Sequence, residues 1–384
     1  MATNFPVGFH LFHKDEGLNF QLNRFYASGI LSYDEVKDIG SRITGFDVWI
    51  KLFTELAEKA RAKGNMEKAA VCYRAAQFYI LGNETDADGR LLKVVFYEKC
   101  FEAYAEAYKD IIYERVPFKS AYLPVYIMKH SSGSKGVIVM HGGYDSFMQE
   151  FVRYARYLFE AGYDIYLFEG AGQGEVLCRC NIKMTSQWES CVSVLLDYYG
   201  LDAVTLIGIS LGGYLATRAA ACEPRIKRLV MYDLIYDFYG ALRGRLGKVG
   251  GKFLDYLTEH PQNFMWKFVE KRMNKMYFLN WLFEQGYYIY ENVSTPCEYF
   301  NCIKKYNTKT LSQLVTQDTL VMAGAADLYT IFLKEQVDAL TNAKTVESRL
   351  FTEEEQAHHH CQVGNIKLAL DVIIDWIERV EKNA

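Results

Sequence analysis

The chain has 384 residues, half of them apolar and 15% aromatic, with a net charge of −4. That length supplies a large core and suggests two domains, or one domain enlarged by insertions. The mildly negative balance gives no reason to expect a nucleic acid partner, and no apolar run approaches a membrane span. Nine scattered cysteines, an odd number in a long chain, point to reduced thiols and a cytoplasmic location rather than a disulfide framework. Residues 1–6 lack a basic stretch followed by an apolar one, so no signal peptide is expected.

Residues 1 to about 115 read as helical. Residues 31–59 carry Ile39, Ile43, Phe46, Trp49, Ile50, Phe53 and Leu56 at three-to-four spacing, and after a turn at 63–65 the pattern resumes over 66–81 and 91–113. The segment 60–76 resembles one hairpin of a tetratricopeptide repeat, but no second copy follows and a solenoid needs several. From residue 121 the period shortens. Strand-like runs at 122–128, 136–140, 163–168, 204–209, 228–233, 319–324 and 348–351 alternate with helix-like segments at 149–161, 186–199 and 365–380. Such alternation with tight glycine turns predicts a doubly wound, mostly parallel α/β sheet. Residues 235–309 interrupt it with a helical, aromatic-rich insertion placed after a late strand. It should lie over the carboxyl ends of the strands and line an apolar substrate pocket with some of its rings.

Gly208-Ile209-Ser210-Leu211-Gly212 is a G-x-S-x-G sequence between a buried strand and a small-residue helix, the context in which such a serine becomes a nucleophile. The helix opening there aims the Leu211 amide at a developing oxyanion. A serine hydroxyl also needs a base, and the base an orienting acid, in the chain order serine, acid, histidine. Of eight histidines, only His358, His359 and His360 lie on a loop between the last strand and the last helix. Adjacent residues cannot all face one serine, and the residues alone leave the three open. Asp327, just past the strand 319–324, is the expected acid, with Asp233 and Asp237 as alternatives; it is also placed to cap a helix over 328–340. His141-Gly142-Gly143 ends the strand 136–140, where the second oxyanion donor is built, with the Gly143 amide expected first and Tyr144 second. Asp145 and Glu150 follow closely enough to reach the pocket, and Asp145 is placed to cap the helix starting at Gln149. His141 is expected to fix the turn. Glu353, Glu354, Glu355 and Cys361 near the histidines lack metal-ligand spacing, so neither metal nor cofactor is expected.

Together the elbow at 208–212, His141-Gly142-Gly143, the turn Gly170-Ala171-Gly172-Gln173-Gly174, Asp327 and the late histidines resemble the α/β-hydrolase superfamily. More narrowly, Arg74-Ala75-Ala76-Gln77-Phe78-Tyr79 and Leu123-Pro124-Val125-Tyr126 resemble the group with an N-terminal helical extension. That group includes 2,6-dihydropseudooxynicotine hydrolase, the fungal yellowish-green pigment hydrolases and the fermentation–respiration switch protein. Its last signature, acidic residues, a small residue and His-Cys-Gln, matches residues 354–362 and implies His360 as the base. It also implies an acidic residue near Asp145 or Glu150. Glu169 and Ala171 stand where the group usually has Asp and Pro.

The resulting expectation is an α/β-hydrolase core of residues 119–234 and 310–384, with a helical extension over 1–118 and a cap over 235–309. The expected activity is Ser210–His360–Asp327 hydrolysis of a small apolar or aromatic carbonyl compound, C–C cleavage next to a ketone favoured. A carboxylesterase or acyl-peptidase-like enzyme is the alternative, and a non-catalytic scaffold for a partner protein the alternative of another class. The extension could also serve a homodimer contact.

Overall fold

The computed structural model describes residues 4–273 and 275–382, so residues 1–3, the start of the expected extension, lie outside the described residues. Among the described residues eight strands are present: β1 Ile112–Phe118, β2 Ala121–Met128, β3 Val137–His141, β4 Asp164–Phe168, β5 Val204–Ile209, β6 Ile226–Tyr232, β7 Asp318–Gly324 and β8 Thr345–Phe351. They form one sheet in the order β1-β2-β4-β3-β5-β6-β7-β8. The β1–β2 and β2–β4 pairs are antiparallel and the rest parallel.

Register places the chemistry. His141 lies opposite Gly208, and Ile209 opposite Tyr232. Gly142, Ser210 and Asp233 therefore leave neighbouring strands at one level, and Asp327 follows the end of β7 on the same edge. Within β5, Leu206 enters the core on one face while Ile207 and Ile209 enter the core on the other, as a strand buried on both faces requires. The helix Ile366–Lys382 seals the second face with Ile366, Ala369, Leu370, Ile373, Trp376 and Ile377, a stripe at helical spacing.

The helical reading of residues up to about 115 overran: β1 begins at Ile112. An edge strand with only Val116 and Phe118 fully inward offers little alternation to read. The stretch 31–59 divides into Tyr33–Arg42, opened by a Ser32–Glu35 capping box, and Phe46–Ala62. A further helix, Glu16–Ala27, falls inside the stretch read as helical; besides Leu18, Leu22 and Phe25 it buries Asn19, Gln21 and Asn23. Asn19 accepts from the N–H groups of Phe12 and His13, and Asn23 exchanges hydrogen bonds with the His10 backbone. Those amides stitch residues 10–13 onto the helix.

The insertion carries the helices Phe238–Gly244, Gly247–Glu259, Met265–Met273, Tyr277–Ile289 and Pro296–Ile303. Its two ends are tied at a neck, with the Phe238 N–H on the Tyr306 carbonyl at 3.1 Å and the Thr308 N–H on the Tyr236 carbonyl at 2.8 Å. Helix Tyr277–Ile289 joins the extension: Trp281 Nε1 donates to the Phe78 carbonyl at 3.1 Å, their rings stack at 4.6 Å, and Tyr277 Oη donates to the Thr44 carbonyl. All nine cysteines are free thiols, and among the described residues no helix is long and apolar enough to cross a membrane.

Trp376 fills the seam between the last helix and the sheet at 1% exposure. Trp376→Ala should lower the unfolding free energy by about 3–5 kcal/mol, read from urea denaturation.

Candidate active site

Ser210 sits in the left-handed region at φ 64°, a strained backbone for a residue with a side chain. Its N–H is held by the Tyr232 carbonyl at 2.7 Å and its carbonyl by the Gly213 N–H at 2.8 Å. The glycines around it are steric necessities. A Cβ at Gly208 would meet the Gly212 oxygen at 1.9 Å, and one at Gly213 the Asp233 oxygen at 2.0 Å.

Of the three candidate bases, His360 reaches the serine. Its Nε2 lies 2.8 Å from Ser210 Oγ, and its Nδ1 lies 2.6 Å from Asp327 Oδ2. With Nδ1 carrying the proton toward the carboxylate, Nε2 is the basic nitrogen facing the hydroxyl. His359 instead stacks on Phe9 at 3.5 Å, its pKa pushed down to about 4 by burial and by His358. His358 packs edge-on to Phe9, and its carbonyl accepts from Ala326. Neither faces Ser210. Asp327 serves two roles at once, since Oδ1 caps the following turn through the Tyr329 N–H at 3.4 Å while Oδ2 takes the imidazole. Asp237 does not join the site: it caps Phe238–Gly244 through the Gly240 N–H and pairs with Lys309. Asp233 does, with Oδ2 only 3.5 Å from His360 Nδ1.

Burial alone would depress the His360 pKa, but Asp327 overrides it and holds the imidazole well above its usual value. Asp327 in turn is held below the ordinary carboxylate range, because the imidazole outweighs the effect of burial.

In the loop after β3 the amide expected first as an oxyanion donor is already bonded. The Gly143 N–H is committed to Ser146 Oγ at 2.9 Å. Among the described residues nothing accepts from the N–H of Tyr144 or of Leu211. Gly143 still matters as a glycine, since a Cβ there would meet the Leu211 nitrogen at 2.6 Å. His141 fixes the loop. It is fully buried with its pKa pushed down to about 4, its Nε2 accepts from Trp188 Nε1 at 3.2 Å, and its Nδ1 bonds the Gly142 carbonyl at 2.9 Å. Gln173, in the glycine turn, donates to the carbonyls of Gly142 and Gly143. The Glu169 carboxylate accepts from the Met148 and Glu175 N–H groups, which a shorter Asp would reach less easily.

Asp145 and Glu150 are not free groups at the pocket mouth. Arg24 donates to Asp145 Oδ2 at 2.6 Å and to Glu150 Oε2 at 2.7 Å, while Arg74 donates to Glu150 Oε1 at 2.7 Å and to the Asp145 carbonyl at 2.6 Å. Burial would raise the Asp145 pKa, but the two guanidinium groups hold it low, so the group is an anion. Asp145 caps no helix; Glu150 caps instead, through the Phe147 N–H. Arg74 sits in an alanine-rich stretch whose likeness to the family flagged it, whereas Arg24 carried no signal, being one basic residue in a polar helix.

Aromatic rings close in above. Tyr329 lies 5.7 Å and Phe20 6.5 Å from the His360 ring. Tyr144, its hydroxyl on the Leu282 carbonyl, packs edge-on to Phe238 and Trp281. Asp233, His360 and Cys361 bring ligand-type atoms within 4.8 Å of one another. Both imidazole nitrogens there already face Ser210 and Asp327.

Arg74 is 3% exposed and holds Glu150, itself 10% exposed. Arg74→Met should cost about 3 kcal/mol, because the buried Glu150 then keeps Arg24 as its one charged partner and the Asp145 carbonyl loses its donor. Adding Glu150→Gln should recover part of the loss, measured by chemical denaturation of both variants.

No family model matches the chain. Over 344 residues it is 26% identical to the hydrolase acrC of Aspergillus aculeatus, an alignment covering 77% of this chain and 78% of that protein. It is 28% identical over 264 residues to 2,6-dihydropseudooxynicotine hydrolase of Paenarthrobacter nicotinovorans, covering 63% and 69%. Among solved structures, that of 2,6-dihydroxy-pseudo-oxynicotine hydrolase aligns with a TM-score of 0.63 at 20% identity, covering 93% of this chain and 94% of that one. The eight-stranded mixed sheet, the elbow on β5 and these relatives agree: the chain is an enzyme of the α/β-hydrolase fold, homologous to fungal and bacterial proteins named as hydrolases.

Proposed function

We propose that the chain is a cofactor-independent serine hydrolase acting on a small apolar or aromatic carbonyl compound, with cleavage of a C–C bond next to a ketone favoured. The observation that carries this reading is the unbroken line from Asp327 through His360 to Ser210, with links of 2.6 and 2.8 Å. His360 Nε2 takes the hydroxyl proton as Ser210 Oγ attacks the carbonyl carbon. The amides of Leu211 and Tyr144 receive the oxyanion, each donor of this kind contributing about 3 kcal/mol to the transition state. The imidazolium then returns the proton to the departing carbon or oxygen, and water, activated by the same base, releases the acyl group.

The likeness to a hydrolase named for 2,6-dihydropseudooxynicotine and the rings of Phe20, Tyr144 and Tyr329 support a small aromatic substrate. Residues up to about 111 and residues 235–309 form a two-part cap over it, a boundary drawn just before β1. One observation favours carboxylesterase activity as a second reading: Asp145 is held as an anion, so His360 is the proton donor at hand, and an ester asks for no other. Parallel kinetics on a β-diketone and an aryl ester separate the two.

A fluorophosphonate probe should label wild type and not Ser210→Ala; an unlabelled wild type would support the scaffold instead. Because the His360 pKa lies above 6.5 and only the neutral imidazole can accept the proton, the labelling rate should climb with pH through a midpoint above 6.5. A rate falling with pH across that range would remove His360 as the base.

A further inference from the structure

We propose that Asp233 is a neutral carboxylic acid that donates a hydrogen bond to Asp327 and so positions the base through it. The inference rests on the Ser210–His360–Asp327 reading and extends it to a fourth group.

Two carboxyl groups converge on one nitrogen. Asp327 Oδ2 lies 2.6 Å and Asp233 Oδ2 3.5 Å from His360 Nδ1. A single N–H can point at one of them, and the shorter link belongs to Asp327. Asp233 is 0% exposed, and its Oδ2 accepts the Cys361 N–H at 2.8 Å. Its other oxygen, Oδ1, is buried with no donor in reach. An ionised carboxylate would leave that oxygen charged, desolvated and unsatisfied, which native structures avoid.

A proton resolves the conflict. Two carboxylates sharing one buried site cannot both ionise, so the pair holds one proton between them. Asp327 has the imidazole N–H and the Tyr329 N–H to stabilise its negative form; Asp233 has one backbone donor. The proton therefore resides on Asp233, whose side chain lies within hydrogen-bond reach of the Asp327 carboxylate. Electrostatics run the same way: burial, then the charge of Asp327, holds Asp233 far above the usual carboxylate range. Other titratable groups facing this corner are the Cys361 thiol and the His359 ring on the histidine loop, Tyr232 on β6 and Tyr329 beyond Asp327, with Asp145, held by Arg24, reaching His360 from the far side.

Such a hydrogen bond spreads the charge of Asp327 and fixes its orientation. It keeps Asp327 from raising the imidazole pKa further, so more of the base is neutral at a given pH. Asp233 is thus a positioning residue, acting through Asp327.

The pH dependence of fluorophosphonate labelling tests this without any substrate. Asp233→Ala removes the donor, and its ascending limb should move to higher pH with a rate at pH 7 lower by about tenfold, one pKa unit of the base. Asp233→Asn keeps a donor and changes no charge; it should recover most of that rate, with its midpoint where wild type has it. An ionised Asp233 predicts the opposite: Asp233→Asn would delete a negative charge beside the imidazole and move the limb to lower pH by about one unit. That outcome overturns the proposal. Should either variant fail to fold, a carbon-13 NMR titration of aspartate carboxyls in wild type decides. One carboxyl still protonated at neutral pH is expected, and all aspartates ionised there would overturn it. Absence of labelling in wild type would sink the hydrolase reading instead, while the NMR titration still reports the Asp233 proton.

Discussion

The site depends on one steric squeeze, the contact of the Ser210 turn with the end of β6. The serine adopts a left-handed backbone, and its N–H is tied to the Tyr232 carbonyl. Gly213 then runs so close to Asp233 that a single added carbon would sit 2.0 Å from its backbone oxygen. The strained backbone of Ser210 and the position of Asp233 are thus set by the same contact. Strain of this kind costs about 1–3 kcal/mol and persists only where neighbours leave no other solution. Here the parallel register of β3, β5 and β6 supplies that constraint.

Around this turn the chain buries an unusual density of charge, and each charge is partnered. On one side Asp327 bonds His360 Nδ1, and Asp233 lies 3.5 Å from the same nitrogen. On the other, Arg24 and Arg74 of the extension clasp Asp145 and Glu150 of the loop that follows β3. Buried pairs of this kind add little net stability, yet losing one member leaves its partner charged and desolvated. They do fix geometry. The extension is therefore bound to the oxyanion loop by electrostatics as well as by packing, and Phe20 carries it to within reach of the base.

The glycine turn and the buried histidine show how local chemistry serves that loop. Trp188 fixes the tautomer of His141, which with Gln173 occupies the carbonyls of Gly142 and Gly143. With Gly143 turned inward onto Ser146, the amide left unbonded is that of Tyr144. One hydroxyl three residues along the same loop decides which of these amides is left free.

What the sequence alone determined is whatever depends on local order. The apolar β-branched runs, the G-x-S-x-G turn and the late position of the histidines specify a parallel sheet with a serine at its edge, because strand period and glycine freedom are properties of adjacent residues. The edge strand β1 was not legible, since a half-exposed strand lacks an apolar period; the helix Glu16–Ala27 falls inside the stretch read as helical, but its bounds were not legible, since buried asparagines stand beside Leu18, Leu22 and Phe25. Tertiary structure alone decided which of three adjacent imidazoles turns inward, with Phe9, from the far end of the chain, holding His359 aside. It also decided that Arg24 meets Asp145 across 121 residues, and that two aspartates on different strands converge on one nitrogen. Charge pairing and shared protons depend on distance through space, and in this chain those distances are fixed by strand register and helix docking.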